Sequence, residues 1–419
     1  MRDNSRTRKV TKPVNRRRFL AGGASVVAAG LAGCTGGDGG GGGGGSGDGG
    51  SGDGGDGGGG GDGGDGGGSE GTSVGDSGGM EYADTLRILM WPYYDLDDIN
   101  DPFREEYGIS IESAYFDGNS EAYNQLRTGG AEEFDIVMAD SFWPQQYYQD
   151  DLIQAIDRDR LTNLGNVFPA FHPDNLDLHV GEDGAYLGPP NAWGGYGISY
   201  NPDEVPESDV SSFTSSIYNE KYSGHISTSS RQTMNIANAG MALGYNDPKG
   251  SIWETCDDSQ LQNVADLLTE QKPYLITRYS DSRNLDRLYK QGDLWLFPEF
   301  SDTFRRLAAE GQPIRHKLLT EEGGLGWLEA WMMTSGVTSE AKKNAVYAFM
   351  DWRLQNQWMK VIAEQVGGAP AVDLRDQWSD EENRIYFQDR TDVFSELTQF
   401  DIPQCPEAWQ EYWTQVQSA

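Results

Sequence analysis

Phe134-Asp135-Ile136-Val137-Met138-Ala139 is a short apolar run bounded by a helix-breaking turn, and it reads as a buried strand. Upstream of it, Leu86-Arg87-Ile88-Leu89-Met90-Trp91 is a second β-prone run that ends in aromatics. Between them Ile99, Phe103 and Tyr107 recur every four residues with acids in between, the pattern of an amphipathic helix, and Gly108 closes it. Ile109–Tyr115 alternates like a strand, and Asn119-Ser120-Glu121 reads as a helix cap ahead of Ala122, Tyr123 and Leu126. Strand, helix, strand, helix, strand is the rhythm of an α/β lobe with a largely parallel sheet.

The rhythm repeats from about Gly195 to Gly324. Gly197–Tyr200, Ile226-Ser227-Thr228 and Asp293–Phe297 are expected as strands, and about Met234 to Leu243 as a helix. Ser339 caps a long helix carrying Ala345, Val346, Phe349 and Met350. A second helix follows with Trp358, Val361 and Ile362, ending at Gly367-Gly368. Tyr289, Trp295, Trp352 and Trp358 are read as core.

The chain has 419 residues, but 29 of its 56 glycines lie between Gly36 and Gly79. With almost no apolar side chains, that stretch cannot offset the entropy of ordering, and its composition predicts a flexible tether. The folding unit is then about Glu81 to Ala419, the size of two lobes, because one core rarely grows past roughly 250–300 residues. The formal net charge is −34. Residues 1–80 hold eight basic and nine acidic residues, so the folding unit keeps 24 of the 32 basic and 57 of the 66 acidic ones, near −33. An excess spread this evenly fits a surface adapted to molar salt, where self-repulsion is screened. It excludes nucleic-acid binding, which needs a basic face.

The first residues form an ordered set of signals. A basic region leads to Asn15-Arg16-Arg17-Arg18-Phe19-Leu20, then to an apolar run from Phe19 to Gly33 that is too short to span a membrane. The arginines followed by Phe-Leu resemble a twin-arginine export signal, and Leu31-Ala32-Gly33-Cys34 resembles a lipobox whose cysteine is lipidated. The expected division is therefore a signal peptide over 1–33 and a tether over 34–80. The tether would reach roughly 35–40 Å by flexible-chain scaling. Cys256 and Cys405 remain, and a disulfide between them is one possibility. There is no Cys/His cluster with zinc spacing, and His172 and His179, in an Asp-rich loop, are read as solvated. No Gly-rich phosphate loop, Gly-x-Ser-x-Gly elbow or His-Glu-x-x-His helix occurs, so enzyme chemistry has no foothold and no cofactor or metal is expected.

Several stretches, in order and with matching spacing, carry a wider resemblance. They are Met90-Trp91-Pro92-Tyr93-Tyr94, Phe134 through Trp143, Asp151-Leu152-Ile153-Gln154-Ala155-Ile156-Asp157, Leu161–Leu164, Trp193-Gly194, Leu243-Gly244-Tyr245, Gly324 through Glu329 and Ala363 through Gly367. From Leu86 through Gln417 the sequence resembles the spermidine/putrescine-binding receptors of ABC importers, here as a salt-adapted lipoprotein of archaeal type. The resemblance implies a two-lobed α/β fold of the type II periplasmic-binding-protein kind, each lobe a mostly parallel mixed sheet flanked by helices, with hinge strands between. It implies lobes over 81–194 plus 326–370 and over 195–325 plus 371–419. Ligand would sit in the cleft, and closure on it would be read by a membrane permease.

The resemblance also implies a site in which an aromatic box surrounds an alkyl chain and carboxylates grip its ammonium ends. Trp91, Tyr93 and Tyr94 fall on the first aromatics, Asp140 and Phe142 on a second cluster, Trp193 on the lobe crossing, and Trp327 and Glu329 on a Trp-x-acid pair. The family's acidic pair in the middle lobe is not reproduced: the chain reads Ser229-Ser230-Arg231-Gln232-Thr233, and Gly368 stands where the family has a ligand-facing Tyr. The expected partners are a small-molecule ligand, ABC permease subunits, and the membrane through Cys34. The chain is expected as a monomer on the outer face of the cell membrane, with no nucleic acid bound. A sugar, an amino-acid derivative or a carboxylate is the alternative cargo, since Arg231 permits an anion. A secreted hydrolase using Asp140 with Glu329 is the alternative from another class.

Overall fold

The computed structural model describes residues 80–280 and 282–419. The export signal and all but the last residue of the tether stretch lie outside the described residues. The first strands and helices are β1 (Thr85–Met90), α1 (Asp97–Tyr107), β2 (Ser110–Tyr115), α2 (Asn119–Gln125), the short α3 (Ala131–Glu133), β3 (Ile136–Asp140) and α4 (Trp143–Gln149). Next come β4 (Pro190–Tyr200), β5 (Ile226–Ser229), α5 (Gln232–Ala242), α6 (Asp258–Gln271), β6 (Leu275–Tyr279), α7 (Ser282–Lys290), β7 (Leu296–Glu299), α8 (Asp302–Ala309) and β8 (Arg315–Lys317). The chain finishes with β9 (Leu325–Met333), α9 (Glu340–Arg353), α10 (Asn356–Val366), β10 (Ala369–Pro370), α11 (Asp380–Ile385), β11 (Thr398–Gln399) and α12 (Pro406–Ser418).

The strands run in the order β2-β1-β3-β9-β4-β7-β5-β6. In one lobe β2, β1 and β3 are parallel, and in the other β5, β6 and β7 are parallel. Two antiparallel strands connect them. β4 pairs with β9 through Tyr196 and with β7 and β8 from Gly197 onward, so one eleven-residue strand, buried along its whole length, belongs to both lobes. This is why a strand expected only at Gly197–Tyr200 begins instead at Pro190. The expected two-lobed α/β fold with hinge strands is therefore the one observed.

Packing follows the sequence periodicity. In α1 the buried Ile99 and Phe103 face α9, where the Phe103 ring lies 5.8 Å from both Phe349 and Trp352, and Gly108, at φ 71°, ends the helix. Ser339 caps α9 by accepting from the Lys342 amide, and Gly367, at φ 87°, closes α10. In the second lobe Leu261, Val264 and Leu268 of α6 share a core with Trp409, Trp413 and Val416 of α12. Cys256 and Cys405 form a disulfide with Cα atoms 5.8 Å apart, joining the approach to α6 to the start of α12.

Three local expectations change. β7 starts at Leu296, because Gly292, at φ 82°, ends the preceding helix and Trp295 is spent stacking its ring on His225 at 3.4 Å. Trp295 is accordingly only partly buried, as is Trp358, whereas Tyr289 and Trp352 are core. His179 is buried, not solvated, and burial pushes it down to about 4, so the ring is neutral.

Candidate ligand-binding site

In parallel α/β sheets the carboxyl ends of the strands open onto loops, and ligands gather there. β1 ends into the Trp91–Tyr94 turn, and β3 ends at Asp140, which leads into Ser141, Phe142 and the start of α4. From the neighbouring strand β9, Glu329 stands directly across from Asp140 in antiparallel register. Directly opposed residues of adjacent strands point to the same face of the sheet, so this register alone brings the two carboxylates together.

Their surroundings are polar in a specific way. Tyr94 is buried, and its hydroxyl donates to Glu329 Oε2 in a short hydrogen bond. Asn119 donates its Nδ2 to Asp140 Oδ1 at 2.7 Å and accepts the Asp140 amide at 3.3 Å. The side chain expected to cap α2 therefore serves the carboxylate instead, Gly118 takes the capping position, and no side chain caps that helix. Asn191 of β4 lies against Tyr94 and Glu329. Its Oδ1 accepts from Trp331 Nε1 at 3.1 Å, while its buried Nδ2 has no acceptor in bonding geometry.

Among the described residues no lysine or arginine pairs with either acid. Burial pushes Asp140 up to about 6, the Asn119 bond holding it back only in part. Burial also pushes Glu329 well above the carboxylate range. The Tyr94 bond opposes this and the Asp140 charge adds to it. Tyr94 is pushed up in turn by burial and by Glu329. A buried and a half-buried carboxylate thus stand side by side with hydrogen bonds but, among the described residues, without a counter-charge, an arrangement that favours protonation until a cation arrives.

The rings are distributed around this centre. Trp91 is fully buried, 4.4 Å from Phe116 and stacked at 6.0 Å on the half-buried Tyr93, whose ring lies 4.9 Å from Tyr94. Trp327 sits two positions before Glu329 on the same face of β9. It is half-buried against Gly194, where a Cβ would come within 2.7 Å of its ring. Phe142 is half-buried and stacked on Trp143 at 4.9 Å, next to the Ser141 amide that donates to the Leu328 carbonyl. Trp193 departs from the expected cluster. It is in register with Leu328, hence on the opposite face from Trp327, and is enclosed by Phe171, Phe387 and Phe394. At Gly368 a Cβ would lie 3.4 Å from the Tyr94 hydroxyl and 3.0 Å from Ala192, so a larger side chain there would crowd Tyr94.

The structure therefore gathers Tyr94, Asp140 and Glu329, with Tyr93 and Trp327 at their edge and Trp91 behind. Asn191 was missed by sequence reasoning. It lies in an apolar stretch without motif, and only the β4–β9 pairing places it here.

A two-lobed α/β sheet joined by crossing strands, with rings and acids at the strand ends, defines a solute-binding protein. Residues 98–383 match the family model of the bacterial extracellular solute-binding proteins, and the chain belongs to that family. It is 22% identical over 342 residues to the spermidine/putrescine-binding periplasmic protein of Escherichia coli (strain K12), spanning 80% of this chain and 92% of that one. Among solved structures it is similar to the spermidine/putrescine ABC transporter substrate-binding protein PotD from Streptococcus pneumoniae (20% identity, TM-score 0.63) and to a putative spermidine/putrescine ABC transporter from Listeria monocytogenes (19%, TM-score 0.61). Each match covers 80% of this chain and 99% of the other. By family the protein is thus a solute-binding protein, not an enzyme.

Proposed function

We propose that this chain captures a small organic amine, of the class named for its spermidine/putrescine-binding relatives, and delivers it to an ABC permease by closing its cleft. The observation that carries the reading is the Asp140–Glu329 pair, a half-buried and a buried carboxylate in register with no lysine or arginine paired to them among the described residues. An ammonium between them supplies the missing charge. Tyr93, Tyr94 and Trp327 are the rings that line its alkyl chain, with Trp91 and Phe142 supporting them from behind and beside. Cation–π contacts contribute about 0.5–2 kcal/mol each and a charge-assisted hydrogen bond about 1.5–3. Only with three rings at the top of these ranges and one strong carboxylate bond does the sum, about 9 kcal/mol, match the roughly −8 kcal/mol of a micromolar affinity.

Closure would bend the two strands shared by the lobes, β4 near Gly194-Gly195 and β9 near Gly326. On this reading residues 81–194 with 326–370 move against 195–325 with 371–419. The order of basic region, apolar run, Leu31-Ala32-Gly33-Cys34 and Gly-rich stretch supports export and a lipid anchor at Cys34, holding a monomer at the outer membrane face. Among the described residues no helix is long and apolar enough to cross a membrane. The even acidic excess supports function in concentrated salt.

The test is titration of the purified protein with putrescine and spermidine in high salt, read by Trp fluorescence. Saturable quenching is expected, and Glu329→Ala should weaken it at least tenfold. Absence of any response at millimolar amine removes the reading.

A further inference from the structure

We infer that the second lobe's side of the cleft receives an anionic group, held by the Arg231 guanidinium and the uncapped amides at the start of α5, beside Tyr196 and Tyr279, so that the cargo is an extended zwitterion with an amine at one end and an acid at the other. The inference rests on the amine reading above and specifies the far end of the same ligand.

The residues lie along one face of the crossing strands. Glu329 and Trp327 are two apart on β9, the Trp327 ring covers Gly194, and Tyr196 is two positions beyond Gly194 on β4, opposite Leu325. The Tyr196 hydroxyl is 3.4 Å from that of Tyr279, the last residue of β6, whose own proton goes to the Pro298 carbonyl at 2.5 Å. Tyr279 is in register with Ser229, the last residue of β5, and Arg231 follows two residues later, immediately before α5. The Ser229 hydroxyl accepts from the Arg231 amide at 3.1 Å and holds this turn.

Unlike the Asp140–Glu329 end, this end carries a positive side chain. Arg231 is half-buried, and its guanidinium makes no ion pair or hydrogen bond among the described residues, in a chain with 66 acidic side chains and 32 basic ones. Other arginines of the interior are engaged. Arg278 bonds Thr228 and Asn235 and lies over Trp413, and Arg353 bonds the Tyr94 carbonyl and Asn100. The acid at the end of β7, Glu299, takes the Ser199 hydroxyl and the amides of Thr303 and Phe304. Both charges reach the two phenols: burial and Glu299 push their hydroxyls up, and Arg231 pulls them down. No side chain caps α5, so its first amides add donors beside the guanidinium.

Length sets the ligand class. Glu329 and the Leu325–Tyr196 pair are four residues apart on β9, about 13–14 Å at the strand rise. An α-amino acid, with both charges on one carbon, cannot reach both ends, whereas a short alkyl chain between an ammonium and a carboxylate can.

The test compares δ-aminovalerate with cadaverine, equal in carbon count and different at one end, by calorimetric titration of the full chain. δ-Aminovalerate should bind at least tenfold more tightly. Arg231→Gln should remove that preference by weakening δ-aminovalerate alone, and Arg231→Lys, which keeps the charge, should retain most of it. Tighter binding of cadaverine, or an equal loss for both ligands in Arg231→Gln, overturns the inference and leaves the amine reading standing. Failure of both ligands to bind removes the amine reading and this inference with it.

Discussion

Binding of an amine should release protons, and its affinity should fall in acid by an amount the structure sets. Asp140 titrates at about 6 against an ordinary 3.8, because burial penalises its charge and the Asn119 bond offsets this only in part. The folded carboxyl therefore holds its proton more tightly than the unfolded one between about pH 4 and 6. Over that window the empty protein loses stability as pH rises, by at most roughly 3 kcal/mol, and above it the loss is complete. A bound ammonium favours the ionised form and reverses the preference. At pH 7 about nine in ten Asp140 side chains are ionised, and at pH 5 about one in ten. The amine's dissociation constant should thus rise about tenfold, or 1.4 kcal/mol, between those values. Glu329 is displaced in the same direction, which steepens the dependence. Calorimetric titrations at pH 5, 6, 7 and 8, each in two buffers of different ionisation enthalpy, would measure the affinity and the protons released. Asp140→Asn should melt higher than the parent at pH 8 without ligand, yet bind amine weakly and with a flatter pH profile. An affinity constant from pH 5 to 8, or proton uptake on binding, would refute the argument that these acids await a cation.

Two further predictions concern the frame around the site. Gly194→Val should push the Trp327 ring off β4, because a Cβ there comes within 2.7 Å of it. Amine affinity should drop and Trp emission should shift, while Gly165→Ala, where a Cβ meets nothing within 4 Å, changes neither. Replacing Cys256 and Cys405 by Ser opens a link across 149 residues of chain, which loop-closure entropy values at up to about 5 kcal/mol of unfolding free energy. Denaturant midpoints should fall, with amine affinity preserved. Equal midpoints for parent and variant would show that the link does not constrain the unfolded chain.

Local patterning is what the linear order of residues expresses well. The spacing of Ile99, Phe103 and Tyr107, the glycines that stop helices at 108 and 367, the Ser339 cap and the apolar run before Asp140 are each settled within a few residues by backbone sterics and periodicity. The α/β rhythm and the two-lobed architecture follow from them. The ends of β1 and β3 were legible too, whereas Tyr94, Asp140 and Glu329 were named together from the family resemblance.

What no local pattern carries is the register between strands distant in sequence. Glu329 meets Asp140 only because β9 runs antiparallel to β3 in one alignment, and a slip of one residue would send its carboxyl to the other face. The same pairing turns Trp193 into core behind Trp327, recruits Asn191, and draws Asn119 from helix capping to a carboxylate 21 residues away. Burial is likewise a property of the assembled layers. His179 and Asp140 have ordinary neighbours in sequence, and their shifted protonation arises from side chains brought over them by folding. Short-range sterics therefore specify the elements, while long-range pairing and desolvation specify the charge state and membership of the cleft.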